Sequence, residues 1–276
     1  MTSHLPEPVP NTAISEAIWL QPGDVRLAAT LEVPPLGPGD RVPLAILLHG
    51  FTGSQDDPII RATAAALAEA GIASLRADLT AHGASGGDMV DMTVPGQIED
   101  ARAVFEYARA LPFVSGVGLV GHSQGGVVAA MLAGQLADAV SAVVLLAPAT
   151  NIPGDARAGR VLGARFDPRN PPEWITLYGL RLGREYLRTA QALAIREVPA
   201  RYHGPVSVIQ GLADEVLPAQ QAAEYVTIFD NGGLVQLPGQ DHNFYHDPEE
   251  PAALATAFLT GHLRHPAGGH IPGIRD

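Results

Sequence analysis

Cysteine and lysine are both missing from this chain of 276 residues; all 17 basic side chains are arginine. Without cysteine there is no disulfide, no thiol nucleophile and no thiolate metal site. Without lysine there is neither Schiff-base chemistry nor a serine–lysine pair. No window of about 20 apolar residues offers a membrane span. The start, Met1 to Pro10, is polar and proline-rich rather than basic and then apolar. A secretory leader is therefore not expected, and the cytoplasm is the default compartment. Internal repeats and low-complexity runs are missing as well. Charged residues are scarce at 17%, against 46% hydrophobic, which suits a well-buried core rather than disorder. The formal net charge of −12 argues against nucleic acid as a partner.

What the chain does have is alternation. Thr12 to Leu20 and Val25 to Val33 read as two antiparallel strands around the turn Gln21-Pro22-Gly23-Asp24. Leu44 to Leu48 is wholly apolar, as a central strand covered on both faces would be. A helix opened by Asp57-Pro58, a strand Ile72 to Leu79 and a helix Pro95 to Leu111 follow. Further strands are expected at Val117 to Val120, Ala142 to Leu146, Val206 to Gln210 and Leu234 to Leu237, with a last helix from Glu249 to about Leu263. Such alternation predicts an α/β fold, a mostly parallel central sheet with helices on both faces. The rhythm breaks over about 149–204, which reads as a lid inserted above the strand C-terminal ends, with Trp174 to Ala194 expected as helix. The domain reading is one unit over residues 1–276, with a loose arm at 1–11 and a mobile Gly/Pro-rich tail at 265–276.

The chemistry centres on Gly121-His122-Ser123-Gln124-Gly125. A serine two residues from a glycine on either side, between a strand and a helix, predicts a sharp strained turn with the hydroxyl at its tip. The helix that starts just after it favours negative charge at that point. A serine needs a base, and the base needs an acid to orient it. Of ten histidines, His242 follows a strand and precedes the last helix, where the order Ser…Asp…His places the base. His246 lacks that placement, and His122 faces the wrong way to serve its neighbour. The acid follows the strand Val206 to Gln210. There Asp214 is preferred to Glu215, and Asp241 is too close in sequence to His242. Backbone N–H donors for a developing oxyanion are expected at Phe51, after the first central strand, and at Gln124.

These residues resemble the α/β-hydrolase superfamily, and among its members the bacterial cinnamoyl/feruloyl esterases. The similarity lies in His49-Gly-Phe-Thr-Gly53, Met92-Thr-Val94, Ile98-Glu-Asp100, Gly121 to Ala129, Leu145 to Ala149 and Asp241-His242. Gly154-Asp155-Ala156 and Tyr186-Leu-Arg188 in the lid narrow it further. The resemblance implies a Ser123-Asp214-His242 triad and an oxyanion hole at Phe51 and Gln124. It also implies that Asp155 and Tyr186 approach the phenolic hydroxyls of a substrate. Their plainer readings are a helix cap for Asp155 and a packed aromatic for Tyr186. Leu162 departs from the family, which has a polar residue there. Between residues 150 and 200 eight arginines face five acids, either as a solvated cover or as attraction for a carboxylate-bearing ester. The expected activity is that of a serine carboxylesterase on aromatic-acid esters. A short-chain acyl esterase, a serine peptidase and a non-catalytic binding protein are the alternatives. The expected partner is a small-molecule ester, with no nucleic acid, no membrane, no metal and no cofactor; a homodimer is left open.

Overall fold

The structure is a computed structural model that describes residues 13–263. The arm at 1–11 and the tail at 265–276 lie outside the described residues. The chain opens with β1 (Ile14–Leu20), β2 (Leu27–Val33) and β3 (Val42–Leu48), then α1 (Pro58–Glu69), β4 (Ala73–Ala77) and α2 (Val94–Ala110). Next come β5 (Val114–His122), α3 (Gln124–Leu136) and β6 (Ala142–Leu146). The following segment holds α4 (Ile152–Arg157), β7 (Arg160–Val161), β8 (Ala164–Arg165), β9 (Trp174–Leu177), β10 (Leu180–Gly183) and α5 (Arg184–Gln191). The chain then runs through β11 (Val206–Gly211), α6 (Ala219–Val226), β12 (Gly232–Leu237) and α7 (Glu249–Leu263).

Eight strands form one sheet in the order β1-β2-β4-β3-β5-β6-β11-β12. β2 pairs antiparallel with both β1 and β4, and every other neighbouring pair is parallel. The fold is thus the mostly parallel α/β sheet that the apolar runs imply. Strand β3 shows why its run is unbroken. Leu44, Ile46 and Leu48 enter the core cluster that holds α2 and α3, whereas Ala45 and Leu47 enter the cluster that holds α1 and α7. Both faces of the strand are covered, so neither can be polar. Helix α2 starts where Thr93 accepts the Gly96 N–H, with Pro95 in its first turn, an N-cap that the backbone needs. Its Ile98, Ala101, Val104, Phe105 and Ala108 are all buried, at helical spacing.

From β3 the chain crosses to β4 on one side and, after β5, to β6 on the other. The winding therefore reverses between β3 and β5. At such a switch point the loops leaving the two strands diverge and open a crevice at their C-terminal ends. The loop after β3 and the turn after β5 flank it.

One expectation fails. The first half of Trp174 to Ala194 is a β-hairpin, β9 with β10, and the helix starts only at Arg184. Ile175 and Leu177 are buried while Trp174 and Thr176 are exposed, the alternation of a strand. Tyr178 and Gly179 both have positive φ, 51° and 79°, as the tight two-residue hairpin turn requires. A smaller hairpin, β7 with β8, turns the same way through Leu162 and Gly163, at φ 44° and 86°.

Candidate active site

Ser123 stands at the tip of the turn after β5, with φ 52° and ψ −118°, a conformation that L-residues avoid. The surroundings over-determine it. Its N–H donates to Leu146 O at 2.9 Å, and its carbonyl accepts from Gly126 and Ala149, each at 3.0 Å. The flanking glycines make this geometry accessible. A Cβ on Gly121 would lie 2.1 Å from Gly125 O, and one on Gly125 would lie 2.4 Å from both Leu48 O and His49 O. Strand and helix touch backbone to backbone, with no room for a side chain between them.

His242 Nε2 lies 2.9 Å from Ser123 Oγ, and its Nδ1 lies 2.8 Å from Asp214 Oδ2. Ser123 and His242 are 119 residues apart in sequence. The Asp214 side chain is fully buried. Its Oδ2 also accepts from Gln210 Nε2, and its Oδ1 accepts the N–H groups of Val216 and Leu217, each at 2.8 Å. Burial works to raise its pKa. The hydrogen bond and charge of His242, the Leu217 N–H and Gln210 outweigh that and hold it below the usual carboxylate value. Asp214 is thus an anion whose acceptor sites face fixed donors, and its Oδ2 keeps the proton of His242 on Nδ1. Nε2 is left with a free lone pair toward Ser123 Oγ. This line of groups can draw a proton from the hydroxyl and return it to a leaving atom.

The other candidates fall elsewhere. Glu215 and His246 are exposed. Asp241 accepts the N–H groups of Asn243 and Tyr245 and so shapes the His242 loop. His122 is buried behind Ser123, with Nε2 2.9 Å from His242 O. Burial, helped by neighbouring His242, lowers its pKa to about 4, so it stays neutral and serves as a prop.

The loop after β3 abuts the serine, since a Cβ on Gly50 would sit 3.0 Å from Ser123 Cβ. Thr52 N–H donates to His82 and Gly53 N–H to Gly50 O, whereas the N–H of Phe51 has no acceptor among the described residues. Gln124, as the first residue of α3, has no intrahelical acceptor for its own N–H. Its side chain is committed, with Nε2 donating to Gln97 Oε1 and Oε1 accepting from the Tyr186 hydroxyl at 2.8 Å.

A cavity of about 390 Å³ opens over these groups, within the size range of small-molecule sites. Ser123, His242, Phe51, Gln124, Asp155, Tyr186 and Leu162 all border it. Tyr186 is buried, and burial pushes its phenol well above the usual value, so it remains a neutral hydroxyl. Because it donates to Gln124, it can only accept from anything else in the cavity. Asp155 lies inside α4 and accepts from the side chains of Asn151 and Arg160, each at 2.8 Å, so it is not a helix cap. Of the arginines in the 150–200 segment, Arg160 borders this cavity, already paired. Leu162, at a hairpin tip, turns an apolar group to the same space. Gln210, Gln97, His82 and Arg160 were not singled out in the sequence, and no local pattern marks them. Among the described residues no helix is long and apolar enough to cross a membrane.

The alpha/beta hydrolase family model matches residues 45–257, from β3 into α7, and so spans every group of the site. The chain belongs to the alpha/beta hydrolase family. Among solved structures, this alpha/beta hydrolase is 33% identical to Est1E from Butyrivibrio proteoclasticus with ferulic acid bound, at a TM-score of 0.87, over 90% of this chain and 100% of that one. A second structure of Est1E aligns at 32% identity and a TM-score of 0.83, over 90% and 99%. A hydrolase from Agrobacterium vitis S4, at 23% identity and a TM-score of 0.68, shares the fold over 90% and 99%. No curated protein sequence matches the chain.

Proposed function

We propose that this hydrolase is a serine carboxylesterase whose preferred substrates are esters of aromatic acids of the hydroxycinnamate type. The observation that carries the reading is the unbroken hydrogen-bond line from Ser123 Oγ through His242 to buried Asp214, at 2.9 and 2.8 Å, at the floor of a cavity.

In this reading His242 Nε2 takes the Ser123 proton as Oγ bonds to the ester carbonyl carbon. The carbonyl oxygen becomes an anion held by the N–H groups of Phe51 and Gln124. His242 then gives its proton to the leaving alcohol, and the acyl group stays on Oγ. Water, deprotonated by His242, attacks the acyl carbon. Collapse of the second anion releases the acid and returns the proton to Ser123. Asp214 remains ionised throughout and stabilises the imidazolium. Residues 149–204 act as the lid that closes the acyl side.

Three features support an aromatic acyl group. The rings of Phe51 and Tyr186 are tilted against each other, 6.2 Å between centroids, beside the serine. Leu162, Tyr178, Val216 and Tyr245, all exposed and all bordering the cavity, give its mouth an apolar lining. The likeness to Est1E with ferulic acid bound adds a third. Toward a ring hydroxyl, Tyr186 offers a lone pair and Asp155 a carboxylate, while Leu162 offers nothing polar.

Ser123→Ala should abolish turnover and labelling by a fluorophosphonate without unfolding the chain. Persistent labelling at wild-type rate would remove Ser123 from its role. Methyl ferulate compared with short-chain nitrophenyl esters tests the substrate. A higher kcat/KM for the acetyl ester than for the ferulate would move the reading to a short-chain esterase.

A further inference from the structure

Two buried imidazoles stand beside the cavity and take no part in the proton route. His49 follows β3 and His82 lies in the loop after β4; both are almost completely buried. Their hydrogen bonds are exchanged. The Leu79 N–H, from the loop after β4, donates to His49 Nε2 at 3.0 Å. The Thr52 N–H, from the loop after β3, donates to His82 Nε2 at 3.0 Å. A ring nitrogen that accepts from an N–H carries no proton, so both rings hold their proton on Nδ1. Each Nδ1 then faces a carbonyl oxygen, Gly50 O at 2.8 Å from His49 and Thr80 O at 2.9 Å from His82. The rings lie 4.9 Å apart, centroid to centroid.

Each loop therefore lends the other one imidazole acceptor and one backbone donor. A neutral imidazole suits this place because it accepts on one side and donates on the other without burying a charge. Burial lowers the pKa of both rings, that of His49 to about 4, so both stay neutral at ordinary pH. The clasp closes on Thr52, held at φ 63°, one residue after Phe51. Fixing the peptide plane between Phe51 and Thr52 limits the rotations of Phe51 and so the direction of its own N–H. The Phe51 ring also packs edge-on to His82, 6.1 Å between centroids.

We propose that His82 is a positioning residue for the reaction: by holding the Thr52 N–H, its Nε2 aims the Phe51 N–H at the carbonyl oxygen of the substrate. The inference rests on the serine-esterase reading above.

The test uses the full chain with His82→Phe, which keeps an aromatic ring and removes the acceptor, and His82→Gln, which offers an amide oxygen in its place. Steady-state kcat and KM are measured with the best ester. Affinity is measured for an arylboronic acid, which adds to Ser123 as a tetrahedral anion, and for the product acid, which does not. His82→Phe should lower kcat and boronate affinity together, by roughly ten- to a hundred-fold, because a donor is misaimed rather than lost. KM and product affinity should stay within about twofold, and His82→Gln should recover part of the loss. A folded His82→Phe with unchanged kcat, or one that weakens boronate and product alike, would overturn the proposal.

Nitrogen-15 NMR of the histidine-labelled wild type tests the clasp even if His82→Phe does not fold. The expected signal for His82 is a neutral ring with the proton on Nδ1; a proton on Nε2 would overturn the proposal. If the wild type neither hydrolyses esters nor reacts with the fluorophosphonate, the esterase reading has failed. The NMR result would then still report on the clasp alone.

Discussion

Replacing Gly125 with alanine adds one methyl group where helix α3 meets the backbone at the end of β3. A Cβ there lies 2.4 Å from Leu48 O and His49 O and 2.8 Å from Leu48 C, where ordinary contact begins at 3.4 Å. The shortfall is 3.4 − 2.4 = 1.0 Å. None of the three atoms can swing aside, since they are backbone at the end of β3, and Leu48 pairs with both Gly121 and Ala77. Helix α3 must therefore move away from β3 by about an ångström. Over-packing of this kind costs about 1–3 kcal/mol. At about 2–4 °C per kcal/mol for a chain of this size, the Tm should fall by roughly 2–12 °C. Catalysis should suffer more. The loop after β3 carries Phe51 and the start of α3 carries Gln124, so the methyl group would drive the two proposed oxyanion donors apart. A displacement of about 1 Å at reacting groups costs on the order of a hundred-fold. The assay is kcat/KM on methyl ferulate beside a thermal melt. Gly261→Ala is the control, because its Cβ would meet nothing within 4 Å on the exposed side of α7. It should gain roughly 0.5–1 kcal/mol with unchanged activity. If Gly125→Ala kept kcat/KM within about threefold of wild type, the close approach would not be what sets the donors, and the reasoning would fail.

Asp214→Asn should cut kcat by about four orders of magnitude, because an amide no longer secures the Nδ1 proton of His242. A loss confined to KM would argue against that. The lowered pKa of Asp214 has a consequence for stability. The carboxylate stabilises the fold above its ordinary pKa and loses that contribution as pH falls toward its lowered value. Urea melts should therefore show wild type and Asp214→Asn furthest apart near about pH 7 and converging below about pH 4; a constant gap would refute the linkage. Tyr186→Phe strands Gln124 Oε1 in a buried place and should cost about 1–3 kcal/mol in a denaturant melt, a cost whose absence would mean the amide repartners. Leu162→Gln places an amide at a hairpin tip that already tolerates a side chain. It should raise kcat/KM for hydroxycinnamate over plain cinnamate esters by roughly three- to ten-fold; an unchanged ratio would place Leu162 away from the ring.

Much of the molecule is legible without coordinates where the information is local. The unbroken apolar run of β3, the helical spacing of Ile98 to Ala108, and the glycines around Ser123 each state their own structure, because period and chain stiffness act over a few residues. Chain order together with strand-end placement points to Asp214 and His242, which the fold sets in line with Ser123. Failure came where two local signals competed. Trp174 to Ala194 has helical composition overall, and the turn at Tyr178-Gly179 lacks the Asn or Asp that usually announces a hairpin. Tertiary burial of Ile175 and Leu177 decided for strand.

By itself the sequence determined the layered α/β order and the residue types able to do acyl chemistry, for those follow from spacing along the polymer. Only the tertiary structure decided partnership. It set Ser123 against His242 across 119 residues, gave the Tyr186 hydroxyl to Gln124, paired Asp155 with Arg160, and exchanged His49 and His82 between two loops. Such pairings depend on direction and on the removal of water, which exist only once the sheet has closed and the loops at its edge have nowhere else to place their polar groups.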